Sequence, residues 1–543
     1  MENREEYYFK PNVIIGPLVD KWYAWTHLIS PATAAMNIVD RHLKIMNSYI
    51  QAPMIHEAAV KNPKMLGGPF MDYETRKVDE IKALKEEMLD KQANAIELSK
   101  AIKELDLMLR TKAKGASLEP LYKEVPDILK GYVELVYDLN NNPSYRFFES
   151  LLFNSEFYSK QSQSISLWET ENDERPFCLS TPQLEDPKVL HLDIPFDHKG
   201  IDTLSRMKRN PGAIEDVAEE LGVREDQMEL FKTFFTKKEH PTYEKYNGDK
   251  ARMRYFGHAC ILIETKDVSI LVDPLISYYG YESTVEHFSD IDLPDVIDYV
   301  LITHNHQDHI VLETLLPLRH KIKNIIVPVT TSGALQDPSI KLAFESIGFN
   351  NVIEIDEMEE IKFENCTITG LPFTGEHSDL NIRAKACFHI AINKLSFLFV
   401  ADSRVMEPRL YEHIHRMKGD VDVLFLGMEC AGAPLSWLYG CLLTQDITRE
   451  DDQSRRLAGC DSERGLSLVD IFNPKEAYVY AMGMEPWLEF ISSIKYTEES
   501  LAIIESNNLI KTCQDKGVIA ERLFGEKELL YNYEMQNVLV TNE

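Results

Sequence analysis

Apolar residues recur at helical spacing in the first part of the chain. Between residues 73 and 112 they return every three or four positions among charged residues, which predicts one long amphipathic helix ending before Gly115. Further helices are predicted over 118–138 and near 211–236. Residues 165–200 are rich in Pro, Asp and Glu, so we expect extended segments and loops there.

Beyond residue 250 the pattern changes to short β-type runs that alternate with helical pieces, as in a layered α/β domain. The runs cover 252–265, 268–274, 298–304, 324–329, 366–373, 387–392, 395–402, 421–427 and 476–482. The polar, breaker-rich stretch "KKEHPTYEKYNGDK" (237–250) is the predicted boundary. We therefore expect a helix-rich α+β N-terminal domain over residues 1–245 and an α/β domain over 246–543.

One apolar run is long enough to suggest a membrane span. Residues 423–443, "VLFLGMECAGAPLSWLYGCLL", carry one charge, at Glu429. However, Pro434 and three glycines interrupt the run, which starts as a β-type segment. We predict a buried strand leading into an active-site loop, and no membrane span.

Composition and charge exclude several classes of protein. A chain of 543 residues is too long for one core, so two or more domains are expected. The formal net charge of −30 argues against nucleic-acid binding, which requires a basic surface. The eight cysteines form no C-x-x-C pair, so neither a zinc knuckle nor a redox pair is expected. The charged start "MENREE" is unlike a signal peptide, and we expect a cytoplasmic location with reduced thiols.

The segment "THNHQDH" (303–309) carries the clearest chemistry. Four metal-ligating side chains lie within six residues, directly after the apolar run "YVLIT": His304, His306, Asp308 and His309. A strand end can direct alternate side chains to one point, while the turn that follows brings the last two to a second point. Imidazole and carboxylate together suit zinc, iron or manganese.

"YFGHACILIETKDVSILVDP" (255–274) followed by "LITHNHQDH" resembles the metallo-β-lactamase fold, a four-layer αββα sandwich. The resemblance implies that Asp273 orients the metal-site loop. It also places Asp402, at the end of "LSFLFVAD", in the position that bridges two metals. His258, in the G-H-A turn, is a candidate for hydrogen bonding to the ligands.

Hydrolases of this fold end their ligand set with a histidine near the C-terminus, and that histidine is missing here. The final histidine, His415, lies with His413 in the helical segment "EPRLYEHIHRM", and we predict that both are on the surface. The strand that should present the ligand, "EAYVYAMGMEP", offers Met482 and Met484. The second metal therefore has fewer ligands than in a zinc hydrolase.

The sequence does not decide which of two adjacent residues in "PFTGEHSDL" is the remaining metal ligand. Glu376 and His377 are adjacent, and on an extended backbone only one of them faces the metals. Glu376 would add a carboxylate, which favours iron and leaves positions for dioxygen. His377 would make the site resemble that of a hydrolase.

Over its whole length the chain resembles the diiron β-hydroxylases of the chloramphenicol-biosynthesis type. The resemblance rests on "WYAWTHLISPATAAMNIVDRHLKIMNSYIQAP" (22–53) and on the spacing from 304–309 to Glu376 and Asp402. It implies two oxo- or hydroxo-bridged irons, O₂ as cosubstrate and an external electron donor. The implied reaction is β-hydroxylation of an amino acid, or a related acyl group, tethered to a peptidyl-carrier domain in antibiotic biosynthesis. The implied ligands are His304, His306 and Glu376 for one iron, Asp308 and His309 for the other, and Asp402 as the bridge.

The resemblance also assigns further roles. Glu376 and Asp402 would be the catalytic carboxylates. From its position after "VDVLFLG", Glu429 is a candidate for a second acid near the metals or a substrate contact, with a solvated loop residue as the alternative. The N-terminal domain would form a homodimer and give access to the carrier-bound substrate. The aromatic cluster at 22–25 and the insertion at 430–470 are candidates to line a channel, although an aromatic cluster more often belongs to a core or a dimer interface. The alternative function is a binuclear zinc or manganese hydrolase, such as a lactonase or phosphodiesterase, with His377 as a ligand.

Overall fold

The computed structural model describes residues 5–363 and 365–533. In its first part, a small antiparallel sheet packs against helices. The strands of this part are β1 Tyr8–Phe9, β2 Val13–Val19, β3 Trp22–Tyr23, β4 Val133–Tyr137, β5 Pro143–Phe147, β6 Gln163–Glu169, β7 Leu190–Leu192 and β8 Phe235–Thr236. Its helices are α1 Thr26–Ile29, α2 Pro31–Asn37, α3 Leu43–Gln51, α4 Pro53–Val60, α5 Val78–Lys91, α6 Ala93–Lys112, α7 Glu149–Phe153, α8 Lys199–Arg206, α9 Ile214–Leu221 and α10 Met228–Thr233. The sheet has the order β3-β2-β6-β7, and β2 is buried along its whole length.

The helix predictions for this part are partly wrong. The predicted helix over 73–112 is divided into α5 and α6 at Gln92, whose side-chain amide donates a hydrogen bond to the Asp20 carboxylate (2.5 Å). The predicted helix over 118–138 is wrong: short 3₁₀ turns and β4 occupy that stretch, which contains two prolines and Gly131. The helix predicted near 211–236 is α9 and α10, because Gly222 ends α9 with a φ of 68°.

The second part contains two seven-stranded mixed sheets. Its strands are β9 Ala251–Tyr255, β10 Ile261–Glu264, β11 Ser269–Val272, β12 Ile297–Leu301, β13 Ile322–Pro328, β14 Val352–Ile355, β15 Glu360–Phe363, β16 Cys366–Leu371, β17 Cys387–Ile392, β18 Leu395–Phe399, β19 Val423–Gly427, β20 Ala433–Pro434, β21 Arg456–Leu457, β22 Glu476–Tyr480, β23 Ile519–Arg522 and β24 Lys527–Tyr531. Its helices are α11 Leu312–Leu318, α12 Ile340–Ser346, α13 Pro408–Lys418, α14 Leu435–Tyr439, α15 Arg449–Ser454, α16 Ser462–Phe472, α17 Glu489–Ser492 and α18 Leu501–Asp515. The sheet orders are β14-β13-β12-β11-β10-β9-β24 and β15-β16-β17-β18-β19-β22-β23.

The layers are those of an αββα sandwich, as the sequence predicted. A buried apolar cluster that includes Ile263, Phe397 and Phe425 draws its members from both sheets and fills the space between them. A second cluster packs α13, α16 and α18 on the outer face of the second sheet. The outer face of the first sheet is covered by α11 and α12 together with the N-terminal part.

Every β-type run predicted beyond residue 250 contains a strand. The run 252–265 is the hairpin β9–β10, in which Tyr255 pairs with Ile261. The run 423–443 begins as the buried strand β19 and continues through a loop into α14, as predicted. Among the residues that the structure describes, each helix is too short or too polar to cross a bilayer.

The two parts share one apolar core. Residues of β2 and the N-terminal helices, such as Ile15 and Leu28, belong to the same buried cluster as Leu312 and Leu316 of α11. The segment 237–250 contains neither strand nor helix. We propose that the boundary between the domains at 1–245 and 246–543 lies in this segment, and that the two domains stabilise each other through the shared core.

Candidate metal centre

The predicted site residues gather at one end of the sandwich, where strands of both sheets end. Asp273 follows β11, His304 and His306 follow β12, Glu376 follows β16, Asp402 follows β18 and Glu429 follows β19. The carboxyl ends of these strands therefore supply the functional side chains, and the intervening strands and helices supply the scaffold.

The backbone turns sharply at these strand ends. Left-handed φ values occur at His258 (51°), Asp273 (40°), Glu376 (68°), Ala401 (50°) and Ala481 (53°). Such conformations cost on the order of 1–3 kcal/mol each in a non-glycine residue, and they persist where the surrounding structure fixes them. Here the turns bring side chains from separate strands to a common point.

The ligand atoms form three overlapping groups, and within each group all of them lie within 4.8 Å of one another. The groups are His304, His306 and Glu376; His304, His309 and Asp402; and His258, Asp308 and His309. Asp402 Oδ2 lies 3.3 Å from His309 Nε2 and 3.9 Å from His304 Nε2. The donor set is thus arranged around adjacent positions, with Asp402 between them.

Several of these atoms are buried without a hydrogen bond. Among the described residues, His304 Nε2, His309 Nε2, Glu376 Oε2 and Asp402 Oδ1 are inaccessible and have no aligned hydrogen bond, although His377 Nδ1 lies 2.8 Å from Glu376 Oε2. Buried polar atoms are normally paired, because leaving one unpaired costs free energy. A mixed set of imidazole and carboxylate donors that converge in this way fits a pair of transition-metal ions such as iron.

Each of the three histidines after β12 has a partner behind the site. Asp273 Oδ2 lies 2.8 Å from His309 Nδ1, and Thr303 Oγ1 lies 3.0 Å from His304 Nδ1. The Tyr439 hydroxyl lies 3.0 Å from His306 Nε2. Such partners fix the tautomer and the ring orientation of a metal-binding histidine. Asp273 lies where the resemblance to the metallo-β-lactamase fold implied an orienting residue.

Electrostatics keeps Glu376 and Asp308 charged, whereas burial raises the pKa of Asp402. Burial alone would raise the pKa of Glu376, but the neighbouring His306 and His377 outweigh that effect and lower this pKa well below its usual value. Burial would likewise raise the pKa of Asp308, but the neighbouring His309 and His258 outweigh that effect and lower this pKa. Both side chains are therefore ionised at neutral pH and available to a cation.

Glu376 and His377 occupy different positions. Glu376 Oε1 lies 3.1 Å from His306 Nδ1, within the first donor group. The His377 ring stacks on that of His306, with centroids 4.5 Å apart, and among the described residues its nitrogens have no aligned hydrogen bond. His377 lies outside the three donor groups. The arrangement favours Glu376 over His377 as the ligand.

Of the other predicted residues, Glu429 and Met482 lie beside the donors, whereas His413 and His415 lie on α13. Glu429 lines the cavity beside the donors, accepts a hydrogen bond from the Gly432 N–H (2.6 Å), and has a pKa raised to about 7 by burial. Met482 lines the same cavity. His413 and His415 lie on α13, and His415 contacts Asp420 (2.7 Å), so both are surface residues remote from the site, as predicted.

The aromatic residues at 22–25 pack in the core, which is one of the alternatives that the sequence left open, rather than along a channel. Trp22 stacks on His42 with ring centroids 4.0 Å apart, and Trp25 stacks on His27 at 4.4 Å. Both tryptophans are fully buried in the shared core. Apolar packing thus explains them. The insertion at 430–470, by contrast, does line the cavity, through residues that include Leu438 and Leu457.

The N-terminal part reaches the metal-site loop directly. Thr26 Oγ1 donates to the Asn305 side chain (2.5 Å), between His304 and His306. Arg41 donates to the carbonyl oxygens of Trp437 (3.1 Å) and Leu438 (2.8 Å) on α14. The segment 22–53 therefore supports both the histidine loop and the helix that carries Tyr439.

Tyr439→Phe is expected to weaken iron binding and activity by about 10- to 100-fold, because His306 loses the partner that orients its ring. Iron retained against a competing chelator is the measurement, followed by mass spectrometry. Tyr49→Phe is the matched control, since Tyr49 donates to a backbone carbonyl in the N-terminal part. Unchanged iron retention in the Tyr439 variant would show that the contact has no positioning role.

Comparisons with known proteins agree with this geometry. Residues 8–239 match the family model described as the diiron non-heme beta-hydroxylase N-terminal domain, and residues 269–433 match the beta-lactamase superfamily domain. The chain is 36% identical over 524 residues to the 4-amino-L-phenylalanyl-[CmlP-peptidyl-carrier-protein] 3-hydroxylase of Streptomyces venezuelae, covering 95% of this chain and 98% of the relative. It is also 30% identical over 175 residues to the UPF0173 protein PYRAB01190 of Pyrococcus abyssi, covering 32% of this chain and 67% of that protein.

The similarity extends to three dimensions. The crystal structure of CmlA, a diiron β-hydroxylase from Streptomyces venezuelae, superposes with a TM-score of 0.91 at 35% sequence identity. The match covers 97% of this chain and 100% of that one. Because a single relative matches the N-terminal part, the sandwich and the connection between them, the chain belongs to the diiron non-heme β-hydroxylase family.

Proposed function

We propose that the protein hydroxylates the β-carbon of an amino acid held as a thioester on a peptidyl-carrier domain, and that the amino acid has an aryl side chain. The similarity to the carrier-bound aminophenylalanyl 3-hydroxylase, which extends over both parts of the chain, carries the proposal. The buried set of imidazole and carboxylate donors supports it, because this chemistry belongs to a diiron family.

The proposed ligands follow the donor groups. His304, His306 and Glu376 would hold one iron, Asp308 and His309 the other, and Asp402 would bridge them. The short distances from Asp402 to His309 and His304 support the bridging role. His258 Nε2, 3.4 Å from Asp308 Oδ2, would hold that carboxylate in position.

In the overall reaction, C–H + O₂ + 2 e⁻ + 2 H⁺ gives C–OH + H₂O, with the electrons from an external donor. A bound diiron centre supplies the reductive activation of O₂ that this reaction requires. The chain supplies orientation: Thr303, Asp273 and Tyr439 hold the three imidazole rings. Asp402 and Glu376 supply the negative charge that balances two cations.

Substrate position is set by the cavity of about 300 Å³ beside the donors. Apolar side chains such as Leu438, Leu457 and Ile494 line it together with Glu376 and Asp402. Apolar walls exclude water and hold an apolar side chain, while the carboxylates mark the side on which the reaction occurs. This arrangement favours an aryl or aliphatic amino acid over a charged one.

A binuclear zinc or manganese hydrolase is the weaker candidate. It would use His377 as a ligand, and His377 lies outside the donor groups. The family to which the chain belongs holds iron, so hydrolysis of lactones or phosphodiesters is not proposed.

Purified protein is expected to contain about two irons per chain and no stoichiometric zinc. Metal content is measured by plasma mass spectrometry, together with the visible spectrum before and after reduction. The reduced protein, given 4-amino-L-phenylalanyl- or L-phenylalanyl-carrier protein and isotopically labelled O₂, should yield an aminoacyl group with one labelled oxygen. Two zinc ions, no labelled product and lactone hydrolysis would overturn the proposal.

Two further properties stay predictions. Leu89 on α5 and Leu107 on α6 are exposed apolar side chains in the N-terminal domain, which is expected to form the dimer. Sedimentation of the wild-type chain and of a Leu89→Glu/Leu107→Glu variant would test the homodimer. Fractionation of the producing cells would test the cytoplasmic location.

A further inference from the structure

A cavity separate from the metal centre lies between the two parts of the chain. This basic cavity has a volume of about 270 Å³. The N-terminal part contributes β2 and the end of α8, and the sandwich contributes α11 with the turn that follows it. Of the described residues, none lines both this cavity and the one beside the metal donors. The residues assigned to the diiron site therefore leave the basic cavity unused.

Lysine and arginine side chains line the basic cavity, and two of them are already paired with acids in its wall. Lys208 Nζ donates to Asp290 Oδ2 (2.7 Å). Arg209 forms an ion pair with Asp295 and also donates to the Ile291 carbonyl oxygen (3.0 Å). These two cations and these two acids therefore neutralise each other, and the charge available to a ligand comes from the other basic residues of the wall.

The two remaining cations, Lys321 and Arg206, come from different parts of the chain. Lys321 ends the turn after α11, and Arg206 is the last residue of α8. Within the described residues, neither side chain makes a hydrogen bond or an ion pair. Glu313, the third acid of the wall, is held by Arg175 through both of its oxygens (2.8 and 2.7 Å). The basic cavity therefore contains two basic groups whose anionic partner is not supplied by its own wall.

Much of the remaining wall is apolar. Ile15 of β2, Ile276 and Leu318 of α11 present hydrocarbon surface to the cavity. His320 also lines it, and its buried Nδ1 has no aligned hydrogen bond among the described residues. An apolar wall with a few convergent polar groups is typical of sites for small organic ligands. Because the polar groups without a partner are mainly basic, the ligand that fits them is an anion.

We propose that the basic cavity binds a small organic anion, with its carboxylate or phosphate group between Lys321 and Arg206 and its apolar body against β2 and α11. The volume of about 270 Å³ admits a single aromatic ring or a short aliphatic chain together with the anionic group. Arg206 is exposed, so the ligand can reach the site from the surface. The ligand contacts both parts of the chain and therefore stabilises the folded protein. This inference is independent of the proposed function.

The affinity for such an anion is expected to depend on pH through Lys321. Burial, together with the nearby Arg209 guanidinium, lowers the pKa of Lys321 to about 7. The anion binds the charged ammonium, so its affinity should be highest below that pKa and fall about 10-fold from pH 6 to pH 8. Burial lowers the pKa of His320 to about 3 and raises that of Tyr278 well above its usual value, so both stay neutral in this range. The charged groups that line the cavity with Lys321 are Arg206, Lys208, Arg209, Asp290, Asp295 and Glu313.

Calorimetric titration of the iron-loaded chain with benzoate and with phenyl phosphate tests the site, with benzyl alcohol as the neutral analogue. At pH 6, Lys321→Met is expected to weaken benzoate binding at least about 10-fold, because a contact to a charged group is lost. Lys321→Arg should retain binding and remove the pH dependence, because a guanidinium stays charged. Lys323→Met is the matched control: Lys323 lies two positions further along, is 59% exposed and pairs with Asp298 outside the cavity.

A second variant and the visible spectrum complete the test. Arg206→Met removes the other cation and covers the case in which Lys321→Met fails to fold. Tighter binding of benzoate or of phenyl phosphate identifies the anionic group, and either preference supports the site. The iron spectrum should stay unchanged on binding, because the cavity shares no residue with the one beside the metal donors. The proposal is overturned if neither anion binds, if benzyl alcohol binds as tightly, or if both methionine variants keep the wild-type affinity for benzoate.

Discussion

Asp402→Ala is expected to reduce bound iron from about two to at most one per chain and to lower the hydroxylation rate by more than about 100-fold. Asp402 Oδ2 lies near the ring nitrogens of both His309 and His304, so its removal takes a shared donor from two positions at once. Loss of a ligand should exceed the 10- to 100-fold effect typical of residues that only orient ligands. Plasma mass spectrometry and the initial rate of product formation are the measurements.

The matched control is Asp379→Asn. Asp379 is an exposed carboxylate in the same loop as Glu376, and its φ of 57° is one that asparagine tolerates. It should keep two irons and the wild-type rate. An Asp402→Ala chain that also kept both would contradict the bridging role.

Arg175→Met is expected to lower the free energy of unfolding by about 3–5 kcal/mol, because the Glu313 carboxylate is then buried without its cationic partner, although the Tyr278 hydroxyl still donates to it (2.8 Å). Arg175 donates to both oxygens of Glu313, at 2.8 and 2.7 Å, and its guanidinium carbon lies 3.6 Å from the Phe490 ring centroid. The Glu313 side chain is only 4% exposed. The pair joins the N-terminal part to α11, so urea denaturation followed by fluorescence should show an earlier loss of the whole structure.

A double variant distinguishes the contribution of the ion pair from the contribution of side-chain packing. Arg175→Met/Glu313→Leu should recover most of the lost stability, because apolar residues can replace a buried ion pair at little or no cost. Lys61→Met removes the exposed pair with Glu57, where 70% of the lysine side chain is accessible, and should change stability by no more than about 1 kcal/mol. If Arg175→Met behaved like Lys61→Met, the pair would not hold the two parts together.

Much of the site could be predicted from the sequence because its signals are local. Four ligand-type residues directly after an apolar strand define one half, and an aspartate at the end of another apolar strand is the proposed bridge. The choice between Glu376 and His377 could not be made locally, since it depends on a left-handed turn at Glu376 that aims one side chain inward. Resemblance to a family, rather than spacing, supplied the preference for iron.

The contacts that the sequence did not reveal are long-range. Tyr439 lies 133 positions from His306, in a short helix held by Arg41 and by Gly67 of the N-terminal part. The spacing of apolar residues along the chain carries no information about such a contact. Likewise no glycine or proline marks the break at Gln92, and composition alone could not decide whether the aromatic residues at 22–25 pack in the core or line a channel.

The position of β24 has a consequence for the order in which the first sheet is completed. β24 pairs with β9, and His258 lies in the turn that follows β9, so the first sheet is completed by two segments more than 250 positions apart. During synthesis on the ribosome, β9 emerges long before its neighbour, and its edge stays open until residue 531 has left the exit tunnel. The first sheet therefore keeps an unpaired edge, next to the turn that carries His258, until almost the whole chain has been made.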